Sequence, residues 1–179
     1  MGKKFDEFVN KMDAEAKAKP KGFDPEKRIK KFQMLIEELY SEMNTWLQEG
    51  LQNGKIQTGL IPVSIKEELL GIYEVNDKWF QIGNARINLH PVGTILIGTD
   101  ARIDLTYRSK EIMIVRAGKD IEYPGQKISI QVNGEKVPKK KDKETLVWKY
   151  VKDNRRLSYI ELNKDSFENL IMDLINGTC

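Results

Sequence analysis

Residues 29–54 read IKKFQMLIEELYSEMNTWLQEGLQNG, and the rhythm of this stretch decides the fold. Ile29, Phe32, Ile36, Leu39, Met43 and Trp46 recur at alternating steps of three and four, the spacing of one helix face. Leu35, Tyr40, Leu47 and Leu51 widen that stripe beyond a two-per-seven coiled-coil seam, so the helix suits packing on a sheet or on several helices. Asp24-Pro25-Glu26 supplies the start. Asp24 can accept from an orphan amide, Pro25 lacks a donor the first turn does not need, and Glu26 meets the positive end of the dipole. Asn53-Gly54 supplies a left-handed stop. The prediction is a helix over 25–53, roughly 42 Å long at about 1.5 Å per residue.

After Gly54 the rhythm drops to two, as in Ala85-Ile87-Leu89, Ile103-Leu105-Tyr107 and Ile128-Ile130-Val132, which is the pattern of half-buried strands. Asn76-Asp77, Gly83-Asn84, Asp100, Arg108-Ser109-Lys110, Asn133-Gly134 and Asp153-Asn154 separate strand-like runs at 69–75, 78–82, 85–90, 94–98, 102–107, 111–116, 127–132, 145–151 and 157–162. Asn133-Gly134 is the best tight-hairpin signal. Spacings this short favour an antiparallel meander, because parallel crossovers need a dozen residues or more. Phe167, Leu170, Ile171, Leu174 and Ile175 then form a second helix face over 164–176, capped by Asn163 or Asp165 and stopped by Asn176-Gly177.

The expected fold is α+β. A long N-terminal amphipathic helix packs on an antiparallel meander or partly closed barrel of eight or nine strands, with a C-terminal helix. Residues 1–22 form a flexible or short helical arm carrying Phe5, Phe8, Val9 and Met12, and residues 23–179 form one domain with its β-rich part over 55–162. The predicted order over roughly 69–176, strands followed by one amphipathic helix, is similar to that of pleckstrin-homology-like domains. That resemblance implies binding of phosphoinositide headgroups, peptides or proteins; more than seven strands and a long preceding helix depart from its pattern.

Composition bounds the function classes. Of 179 residues, 40% are hydrophobic and 32% charged, which fits a soluble globular chain, and no apolar run approaches the length of a membrane span. No apolar core follows Met1-Gly2-Lys3-Lys4, so a secretory signal is not expected. Cys179 is the only cysteine, so no intrachain disulfide can form, in keeping with a cytoplasmic location. One histidine and one terminal cysteine rule out a His-rich metal site, and no cofactor motif is present.

Three stretches carry candidate chemistry. Period-two projection sends Arg86, Asn88 and His90, and likewise Arg102, Asp104 and Thr106, to the outer sheet face. If these strands are neighbours, Arg86, His90, Arg102 and Asp104 form one polar patch, either an anion or catalytic site or a solvated face of cross-strand charge pairs. Second, the window Lys136–Arg156 holds nine basic and three acidic residues. Lys139, Lys140, Lys141, Lys143, Arg155 and Arg156 could face nucleic acid or acidic lipid, or simply keep a hairpin soluble. Third, the 25–53 helix could meet a partner or a second copy of the chain. The expected function is a non-catalytic protein-binding or assembly module. Anionic-ligand binding through 136–156 is the alternative, and an enzyme using the Arg86/His90/Asp104 face the third reading.

Overall fold

A computed structural model describes residues 4–10, 23–94, 100–124, 145–153 and 157–178. The expected run at 127–132, the Asn133-Gly134 hairpin, and Lys139, Lys140, Lys141, Lys143, Arg155 and Arg156 lie outside them, as do most of 94–98 and of the arm. A helical segment over 4–10 (α1) comes first. The long helix α2 (Pro25–Trp46) then starts on Asp24, whose carboxylate accepts from Lys27 N at 3.1 Å, with Pro25 in the first turn. The expected single helix to 53 is broken once, at Leu47 (φ −97°, ψ 12°), before a short α3 (Gln48–Gln52). Gly54 then turns the chain at φ +73°, a conformation glycine adopts without a Cβ penalty.

Among the described residues, seven antiparallel strands follow in meander order: β1 (Ile56–Glu67), β2 (Gly71–Ile82), β3 (Ala85–Gly93), β4 (Arg102–Tyr107), β5 (Lys110–Gly118), β6 (Leu146–Asp153) and β7 (Leu157–Glu161). The sheet is open, with β1 and β7 at its two edges, so the barrel alternative is not what forms. Two further expectations change. Asn76-Asp77 is not a turn but the middle of β2, which joins the runs 69–75 and 78–82. The segment 56–67, absent from the expected runs, is the long edge strand β1. Gly83-Asn84 is a turn where expected, joining Ile82 to Ala85, and the expected Arg108-Ser109-Lys110 separator shrinks to the two residues Arg108-Ser109, with Lys110 already in β5 and paired with Tyr107. Arg108 takes the left-handed φ of +54° that such a turn requires.

Both longer helices cover one face of the sheet. Phe32, Ile36, Leu39 and Met43 of α2 meet Phe80, Ile87, Leu89, Ile103, Leu105 and Ile114, all but excluded from solvent. The C-terminal helix α4 (Lys164–Asn176) adds Phe167, Leu170, Ile171 and Leu174. Asn163 caps α4 in a reciprocal box with Ser166, and Gly177 ends it at φ +77°. Phe167 is the joint between layers, its ring 5.5 Å from Trp46 and 6.2 Å from Phe80. Phe167→Ala should therefore cost about 3–5 kcal/mol of stability, whereas Met172→Ala on the exposed side of α4 should stay within about 0.5 kcal/mol. Urea unfolding of both variants checks this; equal effects would contradict the packing.

Candidate functional site

The ladders β1–β2 and β2–β3 have different lengths. β1 pairs with β2 along its whole length, from Ile56↔Ile82 to Glu67↔Gly71, but β2 pairs with β3 only from Lys78↔Leu89 to Ile82↔Ala85. Beyond Leu89 the strands part, and Pro91, which has no amide to donate, lies in the parted section of β3. The β1–β2 ribbon thus runs on without β3, and α2 takes its place. Gln33 Nε2 donates to Glu74 O at 2.8 Å and Tyr40 Oη to Asn76 O at 3.0 Å, satisfying carbonyls that β3 leaves open. At the ribbon's far end the Tyr73 hydroxyl donates to Glu67, whose carboxylate also accepts from Thr94 N at 3.0 and 3.1 Å. Arg28 of α2 donates to Thr94 O at 2.7 Å and Thr94 Oγ1 at 3.0 Å, closing the knot.

Between α2 and the ribbon lies a cavity of about 490 Å³. Its helix wall is Gln33, Ile36, Glu37, Tyr40, Ser41 and Asn44, spaced as one face of α2. Its sheet wall includes Leu60, Val75 and Lys78, with Leu60 and Lys78 directly paired across the ladder. Lys78 is 3% exposed, on the side that carries Phe80. Its ammonium stands 4.9 Å from the Phe80 ring centre and 5.6 Å from that of Tyr40. Among the described residues no carboxylate lies within ion-pair distance of it. Cation–π contacts replace only part of the hydration a buried ammonium loses, and that loss lowers the Lys78 amine from its ordinary 10.5 to about 8. Asn44, on the facing helix wall, has a buried Oδ1 without a hydrogen-bond partner among the described residues. Burial also pushes the Tyr40 phenol far above its ordinary range, with the Asp77 charge adding to the shift.

On the opposite face the structure brings His90, Arg102 and Asp104 together, but Arg86, four residues along β3 from His90, contacts none of them. β3 and β4 are neighbours, and His90 is opposite Asp104 in their register. Each basic group there already has a partner. Arg102 holds Asp104 in a two-point bridge at 2.7 and 2.9 Å, which raises the Arg102 pKa, and also reaches Glu111 at 3.5 Å. His90 Nδ1 lies 2.7 Å from Asp77 Oδ1, at the fork where β2 and β3 part. Arg86 lies 4.5 Å over the Trp79 ring and donates to Asn88. That indole in turn covers Gly59, where a Cβ would stand 2.7 Å from the ring. Lys149, from the basic window, is 4% exposed and donates to Lys119 O at 2.7 Å and Ile121 O at 2.6 Å. It fastens the segment after β5 rather than facing solvent.

Sequence reasoning missed Lys78, Asn44 and the cleft. The available signal was the parity of Lys78, Phe80 and Ile82, which puts a lysine on an apolar face. No protein family, curated protein or solved structure matches this chain.

Because the folded state lowers the Lys78 pKa, the unfolded chain binds more protons between about pH 8 and 10.5, and this group's contribution to stability rises with pH across that window. Below it the burial penalty is constant. Lys78→Met should therefore raise stability at neutral pH, and its advantage over wild type should shrink from pH 8 upward. Urea titrations at stepped pH read this directly; a pH-independent difference would contradict it.

Proposed function

We propose that this chain is a non-catalytic, cytoplasmic binding module for a protein partner, and that an extended segment of that partner docks along β1 and over the α2–ribbon cleft. The observation that carries the reading is the meeting of an open strand edge with a cavity. β1 is twelve residues long, pairs only with β2 among the described residues, and exposes Leu60 and Ile61 by 53% and 44%. An exposed edge offers unpaired backbone groups to an incoming strand, while neighbouring pockets read its alternate side chains. Pro62 has no donor, so strand addition is confined to the Ile56–Ile61 half, where Leu60 borders the cleft.

Other surfaces support less. The apolar stripe of α2 is already buried against the sheet, which leaves little of it for self-association through 25–53. On the outer face Arg86, His90, Arg102 and Asp104 are engaged with one another or with neighbours, the pattern of a charge-laced solvated surface. The basic 136–156 window remains the rival site, for nucleic acid or acidic lipid.

Peptides selected from a random library on the immobilised full chain test the reading. Their binding should shift the amide resonances of Ile56–Ile61 and of the cleft side of α2, and Leu60→Asp should abolish it while leaving the circular dichroism unchanged. Shifts confined to the β3–β4 outer face would overturn the proposal. So would salt-sensitive binding of nucleic acid or anionic vesicles that is lost on combined Lys139, Lys140 and Lys141→Ala exchange.

A further inference from the structure

The cleft has a chemical preference as well as a shape. Lys78 is a cation largely withdrawn from water, its ammonium left at the cleft wall with ring faces beside it and no counter-charge among the described residues. A buried unpaired charge is among the most costly features a fold can retain, and the cost is relieved when a ligand supplies the missing partner. Asn44 on α2 lines the same cavity, its Oδ1 buried and without a hydrogen-bond partner among the described residues. A carboxylate placed between these walls would gain a charge-assisted hydrogen bond from Lys78 in a water-poor setting.

The rest of the cleft limits how much negative charge enters. Glu37 on α2 and Glu74 on β2 line its mouth, both exposed, while Asp77 is paired with His90 on the outer face. Glu37 and Glu74 share the cavity lining with Lys78, so a second acidic group on a bound segment would meet like charge there. β1 contributes only the apolar Leu60 to this cavity.

We infer that the docked segment carries a single acidic side chain that pairs with Lys78, flanked by neutral or basic residues, so that this cleft selects one carboxylate and rejects acidic runs. This rests on the strand-addition reading above and deepens it.

The test uses the library-selected peptides, labelled with fluorescein, and fluorescence anisotropy on the full chain. In each peptide every Asp or Glu is exchanged singly for Asn or Gln. One such exchange should weaken binding to the wild type by about tenfold or more, and by less than about twofold to Lys78→Met, a coupling that isolates the pair. A second Asp beside the anchor should weaken binding. Affinity of the acidic peptide should fall as pH rises past about 8, where free Lys78 loses its proton, while the amide counterpart stays flat. In that window Tyr40 keeps its proton, and carboxylates as a class titrate far lower. Peptides that dock at β1 with no acidic preference, or that lose equal affinity against Lys78→Met, would overturn this inference and leave the docking reading standing. Failure of any selected peptide to perturb β1 would overturn both.

Discussion

The structure depends on the way α2 substitutes for a missing strand. β2 is twelve residues long, but β3 accompanies only its last five, so half of β2 would present unpaired carbonyls inside the fold. Unpaired backbone groups away from water cost about as much as lost hydrogen bonds. Gln33 and Tyr40 remove that cost from the helix side, and the Arg28–Thr94–Glu67 contacts fasten the ribbon end. Phe32 seals the same seam apolarly, edge-on to Tyr73 at 6.4 Å. The helix therefore belongs to the β body twice over, as the lid of its core and as the neighbour of its longest ribbon.

A helix cannot follow a twisted ribbon as closely as a strand does, and the mismatch opens the cleft. Side chains bridge α2 to β2 at Glu74 and Asn76, and the next inward-facing position, Lys78, marks the last pairing of β2 with β3 before they part. A lysine there keeps its stem on Phe80 and Tyr40 and its ammonium at the cavity. The same fork explains the outer surface. His90 and Asp77 close it with a polar pair while the neighbouring β3–β4 ladder neutralises itself through Arg102 and Asp104.

Much of this was legible in residue patterns. Asp24-Pro25, Asn163 and Gly177 mark the helix ends because capping is local chemistry, and the strict alternation of Ala85–Leu89 and Ile103–Tyr107 gave the correct faces for β3 and β4. The β1–β2 ribbon was not legible, for a definite reason. Buried positions on β2 run Tyr73, Val75, then Lys78, Phe80, and on β1 the inward set steps from Thr58 to Val63. The change of phase falls where the ribbon passes from the sheet to α2. Its polar Asn76-Asp77, opposite Pro62 and Ile61, resembles turn chemistry when the partner strand is unknown. The break at Leu47 was hidden for the converse reason, since the apolar spacing continues through it. Alternation put His90, Arg102 and Asp104 on one face and side by side, but that Arg86 stands apart over Trp79, and that His90 and Arg102 reach Asp77 and Glu111, is tertiary information.

The central claim is that a fork in the sheet holds Lys78 as a buried cation facing a cavity. Nitrogen-15 NMR titration of the Lys78 side chain in the intact protein tests it most directly. The account predicts a midpoint near 8, well below the ordinary 10.5 of a lysine amine. A Lys78 midpoint at the ordinary 10.5 would show a hydrated, solvent-facing amine and contradict the cleft on which the functional reading stands.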